Sequence, residues 1–183
     1  MFIQTEPTPN PNTIKFLPGR DVAPESPREF VTPEEAEGSA LARELFAVDG
    51  VTNVFCGADY ISVSKDETVD WPHIKPAILG GIMDVMQSGA PLFEADAGDT
   101  EFDADSGPAK EIKEIIDTRV RPAVARDGGD IIFKGFDEKT GVVALVMRGA
   151  CSGCPSSTFT LKSGIENLLK HYVPEVREVV AVG

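Results

Sequence analysis

RDGGDIIFKGFDEKTGVVALVMRGACSGCPSS, residues 126–157, decides how the second half of this chain folds. Two β-rich runs, IIFKGF and VVALVM, flank DEKTG and read as a hairpin. Before them, Asp127, Gly128, Gly129 and Asp130 suit a tight turn that needs positive φ. After them, Gly149 and Ala150 end the second strand, and Cys151 and Cys154 follow with the spacing C-x-x-C. Pro155 then suits the first turn of a helix, where its missing N–H costs nothing. The thiols thus lie in a loop that leads into a helix N-terminus, where orphan N–H groups and the dipole favour anionic sulfur. Gly149 and Gly153 let backbone N–H groups come close to a ligand.

Working outward, Ile112, Ile115, Ile116, Val120 and Val124 make an apolar stripe that predicts a helix over 110–125, with Pro122 threatening a kink. Downstream, Leu161, Ile165, Leu168 and Tyr172 line one helical face, and VREVVAV, 176–182, reads as a closing strand. Residues 109–183 are therefore expected to fold as αββαβ. Residues 1–88 read as ββαββα. The first six residues pair with IKFLPG across TPNPN, and Leu41, Leu45 and Val48 mark a helix over 33–50. VTNVFC and DYISVSK form a hairpin around Gly57, and Ile74, Ile78, Ile82 and Val85 share a face of a helix over 71–87, weakened by Gly80 and Gly81. Between the halves, 89–108 is expected to be an acidic, extended linker, on which only Phe93 and Phe102 are bulky and apolar enough to dock on a domain. The fold class is α+β: two small α/β domains joined by that linker.

The net charge of −13 is uneven: −8 over residues 1–88, −6 over 89–108 and +1 over 109–183. No basic stripe exists to neutralise phosphates, which argues against nucleic acid. No apolar run approaches the roughly 20 residues of a membrane span. The start, MFIQTEPTPNPNTIKF, has neither a secretory n-region nor the arginines of a transit peptide. The expected location is the cytoplasm, or the mitochondrial matrix for a trimmed mature chain.

Three cysteines in 183 residues make no disulfide framework, so a close pair points to metal or redox chemistry. A thioredoxin-like exchange motif also carries C-x-x-C at a helix start, but after an early strand of a larger sheet. Two plain buried thiols are a third reading, against which the glycine-rich flanks argue for exposure. A metal reading leaves a deficit, because a structural zinc site or a cubane cluster wants four ligands. Cys56 ends a strand in the other domain and reads as a small core residue, and His73 and His171 read as surface or cap residues. An isologous dimer closes the deficit, since two copies of one C-x-x-C loop at the axis supply four sulfurs. A colourless zinc bridge in an adaptor dimer has the same geometry, so metal carrier, zinc adaptor and thiol–disulfide oxidoreductase all stay open on the residues alone.

RPAVARDGGD from Arg121, MRGACSGCPSSTFTLKSGIENLL and PEVREV together resemble the C-terminal domain of the NifU-like (Nfu) iron–sulfur carriers, across nearly all of 109–183. The combination G-x-C-x-x-C-P followed by T-x-T-L-K-x-G-I-E is far more specific than a bare C-x-x-C. TPNPNTIKFLPG and VFCGADYISVSK resemble the N-terminal domain of the same proteins, in the two-domain order found in bacteria and mitochondria. The resemblance implies a non-enzymatic carrier or scaffold that binds a 4Fe–4S cluster, shared by Cys151 and Cys154 of two subunits. It implies delivery to apo iron–sulfur client proteins, upstream scaffold proteins as further partners, with assembly here or receipt both open, and a homodimer formed through the C-terminal domain. Gly149 and Gly153 are candidates to bring backbone N–H groups to a cluster, and Thr158, in the first turns of the helix, reads first as a structural hydroxyl and second as a hydrogen-bond partner of cluster sulfur. Cys56 departs from the family, which commonly has a bulky apolar residue there. The chain also lacks the further domains of full-length nitrogen-fixation NifU, which points to general maturation. Arg148 and Lys162 bracket the loop and are expected to suit an anionic cluster.

Overall fold

The structure, a computed structural model, describes residues 2–94, 107–151 and 155–182, with side chains from residue 159 onward in the last stretch. The chain forms two compact units, Met1–Asp99 and Thr100–Gly183.

In the first unit an antiparallel sheet runs β1 (Gln4–Pro7), β2 (Thr13–Leu17), β5 (Ile61–Lys65), β4 (Val51–Cys56), β3 (Arg28–Phe30) in spatial order. Its register explains the core. Phe16 faces Ile61, Ile14 faces Val63, Val54 faces Val63 and Cys56 faces Ile61, so one row of apolar side chains lies on one sheet face. Leu41, Ala42 and Leu45 of α1 (Ala40–Phe46) and Ile74, Ile78, Ile82 and Met86 of α2 (Trp71–Ser88) join the same core.

Two expectations need correction here. The short edge strand β3 was not legible, because three residues near Pro24 and Pro27 carry no period. The helix expected over 33–50 is a 3-10 turn, Glu35–Gly38, followed by the seven-residue α1. Ser39 separates them. Its extended backbone (φ −140°, ψ 119°) breaks the spiral, and its Oγ accepts the Ala42 N–H at 3.1 Å as an N-cap. The same hydroxyl donates to the Leu92 carbonyl at 2.8 Å. That bond folds residues 89–94 of the expected linker back onto this unit, where Phe93 stacks on Phe30 with ring centres 6.3 Å apart. Phe102 lies outside the described residues. Gly81, read from sequence as a weakness, lets α1 and α2 approach: a Cβ there would stand 3.0 Å from Glu44 Cγ.

The second unit has the strand order β6 (Gly129–Asp137), β7 (Val142–Gly149), β8 (Glu178–Ala181), with β6 and β7 antiparallel and β7 and β8 parallel. A parallel pair needs a crossover, and α5 (Pro155–Tyr172) supplies it. Ile131 opposite Met147 and Phe133 opposite Leu145 turn one apolar face towards α5 and the N-terminal helices of this unit. Among the described side chains of α5, Ile165 and Leu169 are buried and Leu161 and Leu168 pack part-buried against the same core, with Val173 buried just beyond the helix end; of the expected face only Tyr172 departs. Tyr172 is 45% exposed and lies under the Arg119 guanidinium, 4.9 Å from the ring centre.

The helix expected over 110–125 is α3 (Pro108–Ile115), a π turn (Ile116–Val120) and α4 (Arg121–Arg126). Arg121 N–H reaches back five residues to the Ile116 carbonyl. Pro122 has no N–H to continue the ladder, and the wide turn immediately before it absorbs the misfit. Core residues Ile112, Ile116, Val120 and Val124 repeat every four residues, a spacing that drifts by roughly 40° per step on an ideal α-helix. The π turn takes back part of that drift and keeps all four on the sheet side.

Two side chains tie elements together and give tests. Ser39→Ala removes both the cap and the tether to Leu92, and should lower the stability of the first unit by about 1 kcal/mol or somewhat more in urea unfolding. Glu166, on α5, accepts from Lys170 Nζ at 2.6 Å and from the Val179 N–H of β8 at 3.2 Å. The Lys170 bond, then the backbone bond, hold its carboxyl below the usual carboxylate range. A depressed pKa means stability that is present at neutral pH and lost as pH falls through the folded value. Glu166→Ala should therefore cost roughly 0.5–1 kcal/mol at pH 7, a modest figure for a carboxylate that water still screens, and the gap to wild type should close in acid.

Candidate metal centre

The cysteine loop rests on the Asp127–Asp130 turn. α4 ends at Asp127, whose N–H bonds to the Val124 carbonyl at 3.0 Å. Gly128 follows at φ 81°, in the left-handed region that glycine adopts without cost. Its carbonyl accepts the Ala150 N–H at 3.2 Å. Gly129 pairs in register with Gly149, which at φ 64° turns the chain out of β7 into Ala150 and Cys151. Gly129 does not have positive φ; its requirement is space. A Cβ there would stand 2.6 Å from Cys151 Sγ and 2.7 Å from the Arg148 carbonyl. Two glycine-bearing segments thus pack backbone to backbone, with the sulfur wedged between them.

Asp130 is buried, and its carboxylate is gripped by Arg121: Nε to Oδ1 at 3.0 Å and Nη2 to Oδ2 at 2.9 Å. Oδ1 also accepts the Ile131 N–H at 2.8 Å. Arg121 Nη1 reaches Asp117 at 3.3 Å, and Lys113 reaches the other oxygen of Asp117 at 3.1 Å. Arg121 and Asp117 were not singled out from sequence. The signal was available as the four-residue spacing of Lys113, Asp117 and Arg121 on one helix.

The structure corrects two expectations about the thiol. Cys151 is 6% exposed and belongs to the second unit's core, so the glycine-rich flanks serve close packing, not exposure. Burial, with Asp127 and Asp130 adding repulsion, pushes its thiol up to about 12, against the lowering expected from a helix N-terminus. Gly153 and Cys154 lie outside the described residues, as does the side chain of Thr158. Cys56 is fully buried in the first unit, with its thiol also pushed up to about 12 by burial. His73 and His171 are exposed. Among the described residues no three His, Cys, Asp or Glu side chains come together as a metal cage.

A thiol of this kind is a poor free nucleophile and a good ligand only once a metal displaces its proton. In the metal-free protein burial keeps this sulfur as the neutral thiol through the ordinary thiol range. Iodoacetamide labelling of Cys151 should rise about tenfold per pH unit from pH 7 to 10 without levelling off. A plateau near pH 8 to 9, where an ordinary thiol titrates, would contradict the burial described above.

Residues 3–89 match the family described as Scaffold protein Nfu/NifU N terminal, and residues 112–180 match the NifU-like domain. NifU-like protein 4, mitochondrial, of Arabidopsis thaliana is 50% identical over 184 residues, covering 98% of this chain and 65% of its own length. NFU1 iron-sulfur cluster scaffold homolog, mitochondrial, of Homo sapiens is 48% identical over 185 residues, covering 100% of this chain and 72% of its own length. The chain thus spans about two thirds of the length of these curated relatives. With both domains matched in the same order and identity near one half along the whole chain, the protein belongs to the Nfu/NifU-like family.

Proposed function

We propose that this protein is an iron–sulfur cluster scaffold and carrier, in which Cys151 and Cys154 of two subunits hold one 4Fe–4S cluster as cargo. Relatives named as iron–sulfur cluster scaffold homologues support the class of cargo. The observation that carries the chemistry is the Cys151 seat: a thiol at the end of a strand, held by glycine backbone and too weakly acidic to serve as a free thiolate. Four cysteines complete a cubane, and one chain offers two in this loop, so the cargo is shared across a homodimer formed through the C-terminal unit. Phe159, in the early turns of α5, is 72% exposed and offers apolar surface for that association.

Loading and release are ligand exchange and need no redox step. On loading, each thiol gives up its proton as its sulfur bonds iron. On release, a client thiol loses a proton and bonds iron, while the bond from Cys151 breaks and its sulfur is reprotonated. Burial above all, with a smaller contribution from Asp127 and Asp130, makes that reprotonation favourable, which biases the site toward handing over its cargo. The protein acts by binding and exchange rather than by catalysis. Its partners are apo iron–sulfur client proteins and upstream scaffold proteins, recognised with help from the acidic first half. Steering of that kind predicts transfer that slows as salt rises. The relatives' names place them in mitochondria, which favours the matrix over the cytoplasm as the site of action. No helix among the described residues is long and apolar enough to cross a membrane.

Anaerobic reconstitution with iron and sulfide tests the reading. A brown dimer with about four irons per two chains is expected. Cys151→Ala and Cys154→Ala should each abolish iron retention. Cys151→Ala should also cost roughly 1 kcal/mol of stability, since its sulfur packs in the core. A colourless monomer that instead forms an intramolecular disulfide would point to the oxidoreductase reading, and a dimer that retains only zinc would point to the adaptor.

A further inference from the structure

We propose that Arg121 is a positioning residue for the cysteine loop: its two-pronged bond to Asp130 fixes the turn on which Ala150 and Cys151 rest. The positional claim stands on geometry, and its meaning for cargo rests on the scaffold reading above.

The path is short and has no slack. Arg121 grips both oxygens of Asp130. Asp130 follows Gly129, whose backbone touches Cys151 and the Arg148 carbonyl so closely that no Cβ fits between them. Gly128, the residue before, accepts the Ala150 N–H. A shift of the 128–130 turn therefore carries Cys151 with it. A guanidinium is the suited partner, because its planar fork fixes the carboxylate in angle as well as distance.

The helix is built to deliver that fork. Lys113, Asp117 and Arg121 form a ladder of alternating charge at intervals of four residues. On an ideal α-helix such a ladder winds around the axis, and the π turn between Ile116 and Val120 straightens it. Asp117 holds Arg121 from the helix side while Asp130 holds it from the turn side. With two bases and two acids the ladder is neutral, so the buried Asp130 carboxylate is compensated where it sits.

The test uses the full chain with Arg121→Gln and Arg121→Lys, and reads amide hydrogen exchange by NMR. The Ala150 amide reports the seat. The Arg177 amide, bonded to the Gly141 carbonyl at 2.7 Å at the far end of β7, reports the unit as a whole. In Arg121→Gln the Ala150 amide should exchange about tenfold faster relative to Arg177, and Arg121→Lys should restore only part of the difference. An unchanged ratio, or equal acceleration of both amides, overturns the proposal, the latter because the pair would then be merely structural. Labelling of Cys151 with iodoacetamide at one fixed pH separates position from charge. Removing a cation alone disfavours the thiolate and slows labelling, whereas a loosened seat speeds it, so slower labelling in Arg121→Gln also overturns the proposal. If Arg121→Gln fails to fold, the same ratio in Arg121→Lys decides. The cargo readout is the half-life of the reconstituted cluster, expected to shorten in Arg121→Gln. Wild-type protein that takes up no iron and sulfide would remove the scaffold reading and leave the Ala150 result to stand or fall by itself.

Discussion

The contact on which the second unit turns is that between the bare Cα of Gly129 and the sulfur of Cys151. It is a steric constraint before it is a chemical one. Any side chain at position 129 competes with the sulfur for the same space, so the β6–β7 pairing and the cysteine seat are a single decision of the chain. The left-handed turns at Gly128 and Gly149 face each other on either side of that contact and bring the two backbones together. The core then grows away from it: Ile131 against Met147, Phe133 against Leu145, and the α5 face over both. Burying the sulfur in this way gives the thiol its high proton affinity, so the packing of the unit and the chemistry of the loop have a common cause.

What was legible from sequence follows the strength of each periodic signal. The αββαβ order of the second unit came from long apolar runs, from Pro155 and from turn glycines, each of which has one strongly preferred use. The first unit's hairpins were equally clear. The losses were local. β3 is too short to show a period, and Ser39 reads as an ordinary helix residue until its backbone is seen to be extended. Pro122 announced a misfit but not its solution, because a π turn leaves no compositional mark.

The site itself was half legible. Cys151 and the Asp127–Asp130 turn stood out by residue type. Their relation did not, since nothing in a linear sequence states that Gly129 and Cys151 touch. The electrostatics were incomplete for a similar reason. Counting charges near Cys151 along the chain selects Arg148 and Lys162, and misses that the fold also sets Asp127 and Asp130 to act on the sulfur. Arg121 was passed over because a single arginine on an amphipathic helix has an adequate surface explanation until its carboxylate partner is found buried across the turn.

The π turn has a further implication, for how this region can vary. In spatial terms it is one surplus residue housed inside an otherwise regular helix between Pro108 and Arg126. Deleting one residue of 116–120 would let a plain α-helix bridge the same span, because a five-residue π turn and a four-residue α turn both carry the chain through about one revolution. The same deletion in α3 after Lys113, with the π turn kept, would have no such reserve: everything beyond it would rotate by roughly 100° about the axis relative to the residues before it, setting Ile112 out of step with Val124 and Lys113 with Arg121. The helix is thus free to change its length by one residue at the π turn and, as long as that turn is kept, constrained to the single residue before it.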